Sequence, residues 1–419
     1  MDLLVVGVPL FDKKMAVSAY SFHYQEGNFL LHSNASEREF DGAMLSPLLE
    51  TLNSVGTDAF TMGLPIFVPI NNLMLMANLA GQCKVSPENV VFIMQGDIKP
   101  EEPYLSTVES LKGMGFRFAL KNIERVDQYA PLVPLCDYIF FSHKQMHRKE
   151  MQLMFALTMR DCKHIKIIMS DIDTMAEFND LKAQGPSLFE GRFYRVPLTK
   201  GSHKVSPLKF NLIKLLNLVR DENFDFGEVA SVVQRDTALT VNLMKMINSP
   251  YIGLKQKVSS INHAVAMLGQ VEVTKWVTTA VSKLLGSDRP DELSRLSLIR
   301  ARFAENLAPK FGLQNKHESL FLLGLFSVLD IILETPMEEA LSMVQVSDEI
   351  KAALLQGEGD FGNVLRFIQE YEAAEFTAVS RALIINSLDP ADIYEAYTNA
   401  LAWYRGVISG EEDAGPSKG

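Results

Sequence analysis

Residues 90–120 read VVFIMQGDIKPEEPYLSTVESLKGMGFRFAL. Val90–Met94 is an unbroken apolar run rich in β-branched and aromatic side chains, the pattern of a strand buried on both faces. Pro103–Met114 is an amphipathic stretch with Val108 and Leu111 three apart, and glycines mark its end. Arg117–Leu120 is a second short strand. Strand, helix and strand in this order make a βαβ unit, in which the two strands run parallel.

The same alternation extends outward over the first half of the chain. Further strands are predicted at Leu3–Val8, Ala16–His23, Ile66–Ile70, Tyr138–Phe141, Lys166–Met169 and Gly191–Val196. Helical patterns fill the intervals at Ala43–Val55, Asn72–Ala80, Gln145–Asp161 and Met175–Ala183. About eight strands with intervening helices suffice for an α/β barrel of the TIM type. An open doubly wound sheet is the alternative, because a strand count does not show closure.

After Leu198 the strand signal fades. Gly201–Pro207 reads as a polar linker, and apolar residues then recur at three- and four-residue spacing through an all-α region. Stop and start signals at Asn248–Ser249–Pro250, Gly286–Ser287–Asp288, Thr335–Pro336 and Asp389–Pro390 divide it into helices. The expected organisation is a barrel over residues 1–200, a helical domain over 201–409 and a disordered tail over 410–419.

The chain's 419 residues carry 40 Lys and Arg against 51 Asp and Glu, a net charge of −11. Neither half is basic, so no nucleic-acid partner is expected. Three cysteines, Cys83, Cys136 and Cys162, show neither CxxC nor Cys/His metal spacing, so reduced buried thiols are expected. The start, MDLLVVGVPLFDKK, lacks a basic n-region and a long apolar core, and no apolar run reaches the ~20 residues that span a bilayer. The expectation is a cytoplasmic protein with no membrane insertion.

Residues 212–285 read LIKLLNLVRDENFDFGEVASVVQRDTALTVNLMKMINSPYIGLKQKVSSINHAVAMLGQVEVTKWVTTAVSKLL. Leu239, Leu243, Met246 and Ile247 share one helical face. Pro250 disfavours helix at Ser249, Ser260 is placed to cap the next helix, and Gly269 to end it. This stretch resembles the HDOD domain, a helical module related to the HD phosphohydrolase fold. The resemblance rests on Gln234–Asp236, Ala238–Leu239, Leu243, Ile247–Ser249, Ser260–Ile261, Ala264 and Leu268–Gly269. The His-Asp doublet that names the HD fold is absent from the chain, and the helix where it would fall reads GLFSVLD, with Ser327 and Val328 in its middle. His203, His263 and His317 have no acidic neighbours at ligand spacing. HDOD modules are non-catalytic as a family, and the resemblance implies the same here.

A barrel followed by an HDOD module resembles the EAL–HDOD bacterial signalling proteins, in which the EAL domain is a cyclic di-GMP phosphodiesterase barrel. VGVPLFDKKMAVSAYSFHY, GMGFRFALKN, CDYIFFS and LKAQGPSLFEGRFYRVP carry the resemblance, in the family's order. Two-metal hydrolysis needs carboxylates at the strand ends. By the resemblance, Ser21 stands where the signature glutamate belongs, Pro69 near a metal-binding asparagine, and Ile93 in place of another glutamate. Lys121 and Asn122 replace paired aspartates, Phe140 a catalytic lysine and Ser142 its acidic neighbour. Ser170 and Asp173 fall where glutamates are expected, and Gln25 takes the place of a ligand-contacting arginine.

A degenerate EAL barrel is therefore expected, with no catalytic residue, no metal and no cofactor, so that the chain is not an enzyme. The expected function is a signal-transduction scaffold that binds signalling proteins of a bacterial regulatory pathway, as a homodimer or otherwise, and controls motility, biofilm or a related lifestyle output. The alternative is a degenerate nucleotide sensor for cyclic di-GMP. Asn248, Tyr251, Lys255, Lys257 and Trp276 are the candidate partner-binding residues, since Tyr and Trp are favoured interface anchors; packing in the helical core is the alternative for Tyr251 and Trp276, and the favoured one for Trp276.

Overall fold

The computed structural model describes residues 3–26, 47–95 except 56, 98–122, 126–145, 162–196, 207–234 except 222, positions 239, 240, 243, 244 and 247, 260–285, and 291–409 except 345. Two compact units emerge. The first comprises residues 1–196 together with 369–395, and the second residues 197–368 together with 396–419.

The first unit is built on a closed eight-stranded barrel in the order β1 to β8. The strands are β1 (Leu3–Phe11), β2 (Val17–Glu26), β3 (Ile66–Ile70), β4 (Val90–Met94), β5 (Arg117–Leu120), β6 (Tyr138–Ser142), β7 (Lys166–Ile172) and β8 (Leu188–Gly191). Helices α1 (Pro47–Val55), α2 (Thr57–Thr61), α3 (Asn72–Met76), α4 (Leu79–Gln82), α5 (Tyr104–Gly113) and α6 (Met175–Lys182) fill the connections. Strands β2 to β8 run parallel. The barrel reading holds, with one departure from a fully parallel TIM barrel: β1 is antiparallel to both β2 and β8. The cause is local. The Asp12 carboxylate accepts from the backbone N–H groups of Lys14 and Ala16, closing a tight turn that folds β2 back on β1.

Predicted and observed bounds coincide for β3, β4 and β5. The expected strand Gly191–Val196 is displaced. The eighth strand ends at Gly191, and Phe193–Arg195 form a 3₁₀ turn. A Cβ on Gly191 would lie 2.0 Å from the Ile172 carbonyl oxygen, so this crossing of β8 over β7 admits only glycine.

Inside the barrel, Leu10, Ala19, Phe67, Val91, Ile93, Ala119, Tyr138, Phe140 and Ile168 form one buried cluster. The Phe67 ring meets Tyr138 and Phe140 edge-on, at centroid distances of 4.9 and 5.9 Å. All three cysteines are free and buried, as expected.

The second unit is helical: α7 (Pro207–Leu218), α8 (Phe226–Gln234), α9 (Ile261–Leu285), α10 (Asp291–Leu307), α11 (His317–Phe326), α12 (Leu329–Leu333), α13 (Met337–Ser342) and α14 (Asp348–Gln356), then α15 (Gly359–Glu372) and, beyond α16 (Phe376–Ile385), α17 (Pro390–Ser409). The Ser260 hydroxyl accepts from the His263 N–H, as a cap should. Gly269 interrupts α9 at φ 75°. The apolar stretch Glu318–Leu333 is two helices rather than one, because Val328 leaves helical geometry between α11 and α12. Gly324 lets α11 press against α10: an added Cβ would sit 2.5 Å from the Arg300 carbonyl oxygen. Of the expected linker Gly201–Pro207, only Pro207 is described, as the first residue of α7; its other residues and the tail 410–419 lie outside the described residues. Among the described residues no helix is long and apolar enough to cross a membrane.

Candidate functional site

Strand alternation decides which side chains meet at the barrel mouth. Successive residues point to opposite faces, so the buried cluster fixes the inward set on each strand. From Ala19, Phe67, Val91, Ala119, Tyr138, Ile168 and Leu188, alternation carries Ser21 and His23 on β2, Pro69 on β3, Ile93 on β4, Lys121 just past β5, Phe140 and Ser142 on β6, Ser170 on β7 and Glu190 on β8 to the interior. These residues approach the C-terminal ends of the parallel strands, where barrel sites are built. Seven positions singled out in the sequence thus share one register. Asn122 leaves it, in the left-handed region at φ 57°.

The mouth is spanned by an ion pair. Lys121 Nζ lies 3.0 Å from Glu190 Oε1, with the two side chains 17% and 9% exposed. The ammonium also sits 4.5 Å from the Phe140 ring centroid, a cation–π contact. His23 Nε2 stands 4.0 Å from the other carboxylate oxygen. Burial alone would raise the Glu190 carboxyl, but Lys121 and His23 outweigh it and hold the group well below the ordinary carboxylate range. Beside them on β2, Ser21 is fully buried, and its hydroxyl has no hydrogen-bond partner among the described residues.

A second polar group lies at the ends of β6 and β7. The Ser142 and Ser170 hydroxyls both donate to the Asp171 carboxylate, whose backbone is left-handed at φ 64°. Asp173 pairs with Lys144 and, at 3.6 Å, with Arg192. Lys144 is the main cause of its lowered carboxyl pKa, and Arg192 adds to it. Among the described residues, no three His, Cys, Asp or Glu side chains are grouped to hold a metal ion.

Sequence reasoning missed Glu190 and His23. The signal was present for both: Glu190 is two residues beyond the inward Leu188, and His23 two beyond Ser21.

In the second unit, the helix break at GLFSVLD holds a buried arginine. Arg300 Nη1 donates to the Ser327 hydroxyl at 2.7 Å, which itself donates to the Gly324 carbonyl at 2.6 Å. Burial raises the nearby Asp330 carboxyl. Trp276, a candidate anchor for which core packing is the favoured alternative, is buried at 8% exposure on α9. Asn248, Tyr251, Lys255 and Lys257 lie outside the described residues.

Comparison with known proteins adds sequence relatives along nearly the whole chain. Residues 207–357 match the HDOD domain family. An uncharacterized protein of Bacillus subtilis, YuxH, is 26% identical over 416 residues, covering 97% of this chain and 99% of the relative. The cyclic di-GMP phosphodiesterase CdgJ of Vibrio cholerae is 23% identical over 399 residues, covering 95% of this chain and 91% of the relative. Among solved structures, an EAL domain protein of Listeria monocytogenes matches with a TM-score of 0.35 at 13% identity, covering 46% of this chain and 87% of the other. The Klebsiella pneumoniae BlrP1 manganese and cyclic di-GMP complex matches with a TM-score of 0.37 at 14% identity, covering 46% and 55%. The end-to-end relationship to a phosphodiesterase overturns the expectation that the chain is not an enzyme.

Proposed function

Because the chain belongs to the EAL–HDOD family, with its HDOD domain at residues 207–357, we propose that it works in cyclic di-GMP signalling as a regulator whose output passes through contacts with other signalling proteins. Its place in the cyclic di-GMP pathway follows from the relationship to the Vibrio phosphodiesterase. Delivery through partner proteins, in the control of motility, biofilm or a related lifestyle switch, is our own reading.

The observation that supports it is the internal pairing at the barrel mouth. Lys121 and Glu190 satisfy each other at 3.0 Å, and the neighbouring inward positions Pro69, Ile93 and Phe140 are apolar. Affinity purification of the tagged chain from its native cells, with mass spectrometry, tests the reading. Reproducible capture of proteins of that pathway supports it, and capture of background alone refutes it. Hydrolysis of cyclic di-GMP, the activity of the Vibrio relative, is measured on the same preparation with Mg²⁺ and Mn²⁺.

One observation favours a second reading, a nucleotide sensor. The fully buried Ser21 hydroxyl without a partner, beside His23 and Lys121, is what a polar ligand at the mouth would engage. Titration calorimetry with cyclic di-GMP distinguishes it: a dissociation constant tighter than about 10 μM, some 7 kcal/mol of binding, would favour the sensor.

A further inference from the structure

The first unit contains residues far from it in sequence. The chain leaves the barrel at Val196, builds the helical unit, returns for Gln369–Glu395 and leaves again. The returning segment holds the last turn of α15, all of α16 and the start of α17.

Its contacts fall on one part of the barrel. β1 pairs with β8 over Leu10 and Phe11. Farther back along β1, the Tyr371 hydroxyl donates to the Val5 carbonyl at 2.8 Å and accepts from the Val5 N–H at 3.2 Å. One fully buried phenol thus does for both backbone groups what a paired strand would do. On β2, Gln25 Nε2 donates to the Ser380 hydroxyl at 2.8 Å. After β8, Arg195 reaches Glu372 at 3.4 Å and Arg192 reaches Glu375 at 3.1 Å. Tyr394 bonds Thr51 on α1 at 3.3 Å. Val379, Leu383 and Ile393 of the segment are buried as well.

Because β1 is antiparallel to its neighbours, its start and the end of β2 lie together at the barrel mouth, where Leu3 faces Glu26. The returning segment therefore grips the mouth rim at β1 and β2, and both of its ends continue covalently into the helical unit. We propose that residues 369–395 are a coupling arm, through which reordering of the HDOD-bearing unit alters the barrel mouth. A local stress at either end of the arm acts on Val5 and Gln25, because a packed segment transmits strain rather than absorbing it.

Peptide-resolved hydrogen–deuterium exchange on the full chain tests this. Tyr371→Phe removes both bonds to Val5. Exchange should rise about tenfold or more in residues 3–11, 359–368 and 396–409, while β4 to β7 keep the parent rate. Gln25→Ala removes the bond to Ser380 at the other strand of the rim and should raise exchange in residues 359–368 and 396–409 as well. It carries the test if Tyr371→Phe does not fold. A rise spread evenly over the barrel would make Tyr371 an ordinary core residue and overturn the proposal. A Gln25→Ala variant that exchanges like the parent in residues 359–368 and 396–409 would overturn it equally.

Discussion

Replacing Lys121 by Met should be among the most damaging single changes at the barrel mouth, and the damage should vanish when Glu190 is replaced as well. The pair is close, at 3.0 Å, and largely withdrawn from water. Its gross attraction is about 5 kcal/mol at an effective dielectric near 20, most of it offset by the desolvation of both groups. Removing Lys121 alone leaves a buried carboxylate without its cation, at a cost of about 3–5 kcal/mol. Lys121→Met with Glu190→Leu leaves no uncompensated charge and should lie within about 1 kcal/mol of the parent. Both tryptophans, Trp276 and Trp403, belong to the helical unit, so their fluorescence does not follow the barrel. Denaturant-dependent exchange of peptides covering β5 and β8 does. The pH dependence has a fixed sign. The folded Glu190 carboxyl lies below its unfolded value, so its contribution is complete above the ordinary range near 4.3 and is lost as the pH falls from there toward the folded value. A coupling energy under about 0.5 kcal/mol at neutral pH would refute the reasoning.

Three further outcomes follow from the packing. Gly324→Ala should destabilise the helical unit by about 1–3 kcal/mol, since its Cβ would meet backbone of α10; tryptophan fluorescence in urea reads this directly. Phe67→Ala should cost the barrel about 3–5 kcal/mol, because the ring joins Tyr138 and Phe140 in the barrel interior; the exchange assay on β3 measures it. Thr174→Ala should cost about 1 kcal/mol, because Thr174 and Glu177 form a reciprocal cap on α6; Thr174→Ser should restore most of it.

The parallel strands β3 to β5 were legible because buried apolar runs bounded by turn residues admit little else. The last strand was misplaced because LFEG is short and follows the turn residues Gly185 and Pro186, while the next segment, FYR, has β-forming composition in a 3₁₀ turn. Periodicity alone did not show closure of the barrel, which depends on pairings between distant segments. Seven positions marked in the sequence fall on the inward register of the strands, yet the pattern does not reveal the central pair. The family pattern marks Lys121 only as a replaced aspartate and does not mark Glu190, although the two meet across 69 positions of sequence. The arm was the least legible feature. Tyr371 looks like any helical core tyrosine, and its partner Val5 stands 366 residues away.

Deletion of the gene in the native organism, with motility and biofilm formation scored at low and high cyclic di-GMP, tests the central claim most directly. The account predicts a shift in at least one of these outputs, restored by the intact chain supplied in trans. Outputs that match the parent strain at both cyclic di-GMP levels would contradict it.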